Sequence, residues 1–368
     1  MAPTRRLLFV TNGYGEDSVG AEIIRRLPSQ LVAEAWPTLG PGAAYAGICP
    51  VVGPRAELAS EGSRIARGTL TRDVVGGGLA TLLPGLNFLR RARAAYDHVV
   101  VIGDFTMVAA CWLAGLTGLT YLDVYKTGYG RLYAAPERWV IARTCRRVFV
   151  RSAPLAESLH RAGVAAEAAG NVMMDTITAS GYDARARRSR PLAVTLLPGS
   201  RDQTAENFAL QAEALRRLPE AERPDIFLAL AGAATPDDLA AAAGLTVQGD
   251  RLTGDLVVHC ARRAMRDMVE ASDLVLSQAG TATIQSLGLG RPAITFTRPT
   301  DRMKRYREEN RLFGGARLLS RDDPDELARV MLGLLRDPAE RARLAAIGRD
   351  RIGGPGAIAR IIAALDAP

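Results

Sequence analysis

A chain of 368 residues that is 48% hydrophobic and 23% charged can bury two full cores, which excludes a disordered or fibrous protein. The net charge of +8 points to anionic partners, but no nucleic-acid motif and no interleaving of basic and aromatic residues accompanies it, so a phosphorylated substrate or an anionic lipid surface is expected rather than nucleic acid. Scattered Cys49, Cys111, Cys145 and Cys260 form no CxxC pair, and His98, His160 and His259 stand far apart, so neither a metal site nor a disulfide framework is expected.

Taken in chain order, Leu7 to Thr11 reads as a first strand. It ends too soon for a signal-peptide core, and no apolar run approaches the roughly 20 residues of a membrane span. The expected location is therefore cytoplasmic. Asn12 to Asp17 is a glycine-bearing turn before an amphipathic helix, Ser18 to Leu27, which makes a β-loop-α opening of an α/β domain. Gly13 and Gly15 either let a ligand approach or only permit the turn, and Glu16 and Asp17 either act on a substrate or serve as acids of the helix N-terminus. A second strand and its connections lie in Leu31 to Val52. The apolar, glycine-rich run from Val74 to Leu86 is followed by Arg90, Arg91 and Arg93. Residues 74–93 thus suit either an element that dips into a membrane interface or a buried helix with a basic end.

His98 to Asp104 is the clearest strand of the first half and ends in an acid. Ligands of open α/β sheets gather at the carboxyl ends of the strands, so Asp104 is placed as a catalytic carboxylate, with a cap for the helix Phe105 to Leu116 as the alternative. Tyr121 to Val124 and Arg147 to Val150 read as further strands, with Lys126 in the loop between them available to a phosphate. Gly181 to Arg190, rich in arginine, reads as the interdomain linker. The rhythm then restarts. Leu192 to Leu197, Ile226 to Ala231 and Leu256 to Val258 are expected strands, and Ala205 to Leu218 and Met265 to Ala271 expected helices. Asp273 to Phe296 reads as strand, small-residue loop, helix and strand; Arg302 to Phe313, Asp325 to Leu335 and Gly356 to Leu365 read as helices.

Two loops of the second half are suited to anions. Gly199-Ser200-Arg201 offers backbone N–H groups, a hydroxyl and a guanidinium just after a strand. Gly280-Thr281-Ala282-Thr283 opens a helix, and its N–H groups lie at the positive end of the helix dipole. Together they suit a diphosphate held without a metal or other cofactor, while an acid (Asp104 first, Asp17 and Glu16 behind it) deprotonates an acceptor hydroxyl.

In this order the motifs TNGYGED (Thr11 to Asp17), GDF (Gly103 to Phe105), GNVMMD (Gly170 to Asp175), LLPGSR (Leu196 to Arg201) and AGTATIQSLGLGRP (Ala279 to Pro292) resemble lipid-A-disaccharide synthase and, more closely, the proteins related to that synthase whose substrate is unassigned. The resemblance implies a GT-B architecture, α/β with two Rossmann-like domains facing across a cleft. It implies an acceptor domain over residues 1–180, a nucleotide-sugar donor domain over 190–352, and a last segment, 353–368, crossing back to the first. It further implies an inverting, metal-free transfer from a UDP-sugar to a lipid acceptor, with the enzyme peripheral at the inner face of the cytoplasmic membrane. Asp104 matches the family's general base, Arg201 its diphosphate ligand, and Gly280, Thr281 and Thr283 its donor loop. Asn171 matches a polar cleft position, and Met265 a place where backbone wraps the uracil. Two positions depart from the pattern. Ile284-Gln285 stands where the family carries a donor-holding glutamate, leaving Gln285 to hydrogen-bond hydroxyls, and Gly13 to Asp17 replaces a Gly-Glu-Ala-Ser-Gly-Asp run. The alternatives are a UDP-sugar epimerase on the same fold and a non-catalytic nucleotide-sugar binder of envelope synthesis.

Overall fold

Leu7-Leu8-Phe9-Val10 and Val99-Val100-Val101-Ile102 have no polar face. Side chains alternate across a strand, so such runs are stable only in a sheet covered on both sides. The protein, seen as a computed structural model that describes residues 4–55, 82–129, 132–199, 203–232, 234–301 and 303–367, builds two such sheets. Its chain divides into one unit of Met1–Thr176 with Pro355–Pro368 and a second of Ile177–Gly354.

The first unit contains β1 (Arg5–Thr11), β2 (Leu31–Pro37), β3 (His98–Gly103), β4 (Leu119–Asp123), β5 (Cys145–Val150) and β6 (Ala166–Ala168). They pair in parallel in the order β2-β1-β3-β4-β5-β6. Leu8, Val10, Val99, Val101, Tyr121 and Val148 face one core, shared with residues of the helices Leu82–Ala95, Phe105–Leu113, Ala135–Thr144 and Ala153–His160. Leu7, Phe9, Val100, Ile102 and Phe149 face the other, with the helices Tyr14–Arg25 and Ala357–Asp366. Truncating any of these large side chains to alanine costs about 2–5 kcal/mol. The last helix is fixed by one carboxylate. Asp175 accepts from the backbone N–H of Gly356 at 2.6 Å and of Ile358 at 2.9 Å, so it caps a helix whose Ile358, Ile361 and Leu365 are buried.

The second unit contains β7 (Ala193–Leu197), β8 (Asp225–Leu230), β9 (Thr246–Gln248), β10 (Arg251–Thr253), β11 (Val257–Arg262), β12 (Leu274–Ser277), β13 (Ala293–Thr297) and β14 (Arg317–Arg321), in the order β14-β13-β12-β7-β8-β11-β10-β9. Six strands run parallel, and the β9–β10 hairpin closes one edge antiparallel. Both sheets are covered on two faces, as in Rossmann-like domains.

Several expectations change. The arginine-rich stretch expected as a linker is tied into the second unit, because its donors find acceptors at the start of β8 and at the end of the helix Met265–Ala271. Ser189 N–H, Ser189 Oγ and Arg190 N–H all donate to Asp225, at 2.7–2.8 Å, and Arg188 donates to the Ala271 carbonyl at 2.9 Å. The helices Ala135–Thr144, Ala153–His160, Pro236–Ala243 and Pro338–Ile352 and the hairpin were not read from the sequence. Of the segment 74–93, residues 74–81 lie outside the described residues. The remainder belongs to Leu82–Ala95, an amphipathic helix with Leu89 and Ala92 buried and Arg90, Arg91 and Arg93 exposed. Among the described residues no helix is long and apolar enough to cross a membrane.

Candidate functional site

In each unit the strand order reverses once, and ligands of open α/β sheets bind outside the carboxyl ends of the strands at that reversal. In the first sheet the reversal falls between β1 and β3, and in the second between β7 and β12. The residues following these four strands are Asn12 to Asp17, Asp104, Pro198-Gly199 and Gln278 to Thr283, which contain most of the site residues expected from the sequence.

The first edge is a set of carboxylates. β3 closes at Gly103, and Asp104 is the N-cap of Phe105–Leu113. Its Oδ1 accepts from Thr106 N–H and from Asn12 Nδ2, both at 2.9 Å. The cap and the interstrand bond thus hold one carboxylate in one orientation, so the two roles considered for Asp104 are compatible. Gly103 is needed for this approach: its φ is 140°, and a Cβ there would meet Asn12 Oδ1 at 1.9 Å. Asp17 is 1% exposed and accepts from Thr11 Oγ1 at 2.5 Å, and its other oxygen has no partner among the described residues. Burial pushes its carboxyl up to about 6, the Thr11 bond opposes that, and nearby Glu16 adds to it. Glu16 is itself buried, folded back over Gly13, where a Cβ would meet Oε2 at 2.3 Å. Gly15 is exposed, with open space where a side chain would be.

A fourth acid was not singled out from the sequence. Asp123 ends β4 beside Gly103, and its signal, an acid closing a strand, was the one used for Asp104. It accepts from the N–H groups of Tyr125 and Lys126 and from Tyr133 Oη at 2.6 Å. Tyr121 Oη lies 2.8 Å from Tyr133 Oη and 3.2 Å from the Gly103 carbonyl, which links this acid to the Asp104 turn. Burial raises the Asp123 carboxyl, while the Tyr133 bond opposes it. Asn171 caps the turn Val172–Asp175 by accepting from Met173 N–H. Its Nδ2 is buried without a partner among the described residues, and Asn171 lines a small cavity with Asp123 and Arg151. Lys126, considered for a phosphate, instead donates to Glu137 and to the Leu132 carbonyl, each at 3.0 Å, because those acceptors lie within reach of its loop.

The second edge is built differently. Ser200 and Arg201 lie outside the described residues. Gly199, with φ 111°, follows Pro198, whose carbonyl accepts from Asn207 Nδ2 at 2.8 Å. Gln278 N–H donates to the Leu197 carbonyl at 2.9 Å, which sets the two loops side by side. The Gln278 side chain pairs with the Phe296 backbone in both directions, fixing the loop from below. The helix Gly280–Gly288 begins with no side-chain cap, and Gly280 and Thr281 are exposed. Thr283 is different: its hydroxyl is buried, 2.7 Å from Ser277 Oγ and donating to the Ala279 carbonyl, so it braces the loop from inside. Ala282 and Gln285 are half-buried along the same helix, and Met265 starts the helix Met265–Ala271 just after β11. Between β11 and Met265, Arg263 takes φ 61°, the one left-handed non-glycine residue among those described. Arg298, after β13, is a further cation at this edge; it donates to Asn207 Oδ1 at 2.7 Å. Neither was found from sequence, since neither belongs to a motif. Among the described residues no three His, Cys, Asp or Glu side chains are grouped as metal ligands.

No family model and no curated protein matches the chain. Solved structures do. The chain is similar to a UDP-glucosyltransferase from Polygonum tinctorium, at 12% identity over 99% of this chain and 98% of that one, with a TM-score of 0.61. It is also similar to the UDP-GlcNAc 2-epimerase from Neisseria meningitidis solved with UDP-GlcNAc, at 13% identity over 98% and 99%, with a TM-score of 0.56. A Phytolacca americana protein solved with UDP-2-fluoro-glucose and pterostilbene matches at 10% identity over 99% of each chain, with a TM-score of 0.60. The fold is GT-B. At such identities the likeness speaks to the fold alone.

Proposed function

We propose that the protein is a glycosyltransferase that moves a sugar from a UDP-sugar to a lipid acceptor at a membrane surface, like the lipid-A-disaccharide-synthase-related proteins its motifs resemble. In this reading the second unit is the donor domain and the first the acceptor domain. The observation that carries the reading is that the ends of β7 and β12 lie side by side at the reversal of the second sheet, joined by the Gln278 N–H to Leu197 carbonyl bond, with Gly199 following one and the helix start at Gly280 following the other. The helix Gly280–Gly288 starts there without a side-chain cap, and unpaired N–H groups at the positive end of a helix dipole suit a diphosphate. The neighbours solved with UDP-GlcNAc and UDP-2-fluoro-glucose agree with a nucleotide-sugar donor.

The reaction balances with these groups alone. The acceptor hydroxyl oxygen attacks the anomeric carbon from the face opposite the diphosphate, and its proton passes to Asp104. The bond from carbon to diphosphate oxygen breaks, leaving its electron pair on UDP. Arg201 and the N–H groups of Gly280 and Thr281 stabilise that growing charge. Gln285 orients sugar hydroxyls, and Met265 lies against the base. Asn12 holds the Asp104 carboxylate ready; Glu16 and Asp17 keep the surroundings acidic.

A second reading, a UDP-sugar epimerase, is favoured by several neighbours that bear that name. Against it stand the three histidines: His98 starts β3, His160 ends a helix, and His259 lies inside β11 opposite Phe227. None stands at a carboxyl edge, so an epimerase would have to move the proton at the sugar carbon with the carboxylates of the first edge. The test is calorimetric titration with UDP and UDP-N-acetylglucosamine. Wild type is expected to bind at micromolar concentration, and Arg201→Ala at least tenfold more weakly. Unchanged binding by the variant overturns the donor site. Conversion of UDP-N-acetylglucosamine to its C2 epimer without an acceptor, followed by proton NMR, selects the second reading.

A further inference from the structure

Beside the first core, two tryptophans stand at the surface. Trp112, on the helix Phe105–Leu113, is 38% exposed, and Trp139, on Ala135–Thr144, is 46% exposed. Their rings meet edge to face at 5.7 Å, and the Arg143 guanidinium lies over the Trp139 ring at 4.0 Å. Leu113 follows, 59% exposed. The helix Leu82–Ala95 shares the core beneath them through Leu89 and Ala92, exposes Leu83, Arg90, Arg91 and Arg93, and brings an Arg93 Nη1 close to Gly115, just past the end of the Trp112 helix. Acids are scarce here. Neither Leu82–Ala95 nor Phe105–Leu113 contains one, and Glu137, the acid of Ala135–Thr144, accepts from Lys126 Nζ and from Ala134 N–H.

We infer that this three-helix face of the first unit docks on an anionic bilayer surface, with Trp112, Leu113 and Trp139 at headgroup depth and the arginines against lipid phosphates. The chemistry selects this occupant. Exposed apolar patches of this kind mark interaction sites, and indole rings, with an apolar body and one N–H, favour the membrane–water interface. An aliphatic and aromatic centre rimmed by arginines and lacking free acids complements a negative sheet of phosphates. The inference extends the membrane part of the proposed function. It moves the contact from the apolar run read in the sequence onto packed helices. Its test uses no nucleotide, so its failure is separable from failure of the donor site.

The experiment is flotation of the full chain with vesicles of phosphatidylcholine alone or with phosphatidylglycerol, with tryptophan emission read in parallel. The chain contains three tryptophans, and Trp36 is buried, so a shift in emission reports the exposed pair. Binding is expected to anionic vesicles at least tenfold more tightly than to neutral ones, with a blue shift, quenching by brominated lipid, and weakening in salt. Trp112→Gln with Trp139→Gln is expected to lower binding at least tenfold with unchanged circular dichroism, and Arg90→Gln with Arg91→Gln to lower it severalfold. Absence of binding to anionic vesicles overturns the inference. So does binding undiminished in the tryptophan variant, or a dimer of wild type that the variant breaks without any vesicle binding, which would make the face a contact between copies.

Discussion

The carboxyl edges of the two sheets share a topology and differ in chemistry. The first gathers Glu16, Asp17, Asp104 and Asp123, three of them buried, with Asp17, Asp104 and Asp123 held by hydroxyls, an amide or backbone N–H groups. The described residues of the second edge's two loops include no acid and are small or polar apart from Pro198, with an uncapped helix start and Arg298 nearby. Strand order alone therefore fixes where a ligand sits, not its charge. Carboxylates at the first edge suit holding a proton, and N–H groups and arginine at the second suit receiving negative charge.

The largest expected effect tests the first edge. Asp104→Asn keeps an oxygen for the Thr106 cap and Asn12 but cannot take a proton. Turnover is expected to fall by about 10²–10⁴-fold with UDP affinity unchanged. Equal turnover would leave Asp104 as a helix cap only, and a loss of UDP binding would mean the edges are not functionally distinct. Next is Asp17. Its carboxyl titrates near 6 when folded and near 3.8 when exposed, so ionisation favours unfolding, and the wild type loses stability as pH rises from about 4 through 6. Asp17→Asn removes that cost and is expected to stabilise by on the order of 2–3 kcal/mol at pH 7.5, with the gain nearly gone at pH 4. Thermal melts at both pH values decide it; a gain independent of pH would show the carboxylate is not strained by burial. The smallest effect lies behind the second edge. A Cβ on Gly348, in the helix Pro338–Ile352, would come 2.6 Å from the Leu287 carbonyl oxygen on the anion-loop helix. Gly348→Ala is expected to cost about 1–3 kcal/mol and to weaken UDP binding, because a backbone must give way. A variant as stable as wild type that binds UDP equally would show that the helix start is not set by this packing.

Much of the architecture was legible because its signals are local in the chain. Unbroken apolar runs marked β1, β3 and β12, glycine-containing loops marked the helix starts after β1, β7 and β12, and Asp104 stood out as a strand-ending acid. Elements with mixed patterns, such as Ala135–Thr144, where Trp139 and Arg143 face outward, were not legible. The candidate site was legible only in part. The sequence by itself determined two α/β sheets covered on both faces, and which loops follow their strands, since side-chain alternation and helix periodicity are properties of neighbouring residues. Only the tertiary structure decided that Asn12 bonds Asp104 across 92 residues, that Tyr121 and Tyr133 tie Asp123 to the Gly103 turn, and that Arg298 meets Asn207 beside Pro198. Those pairings depend on strand order and register, which place residues distant in the chain at one sheet edge, and no pattern within a single segment encodes them.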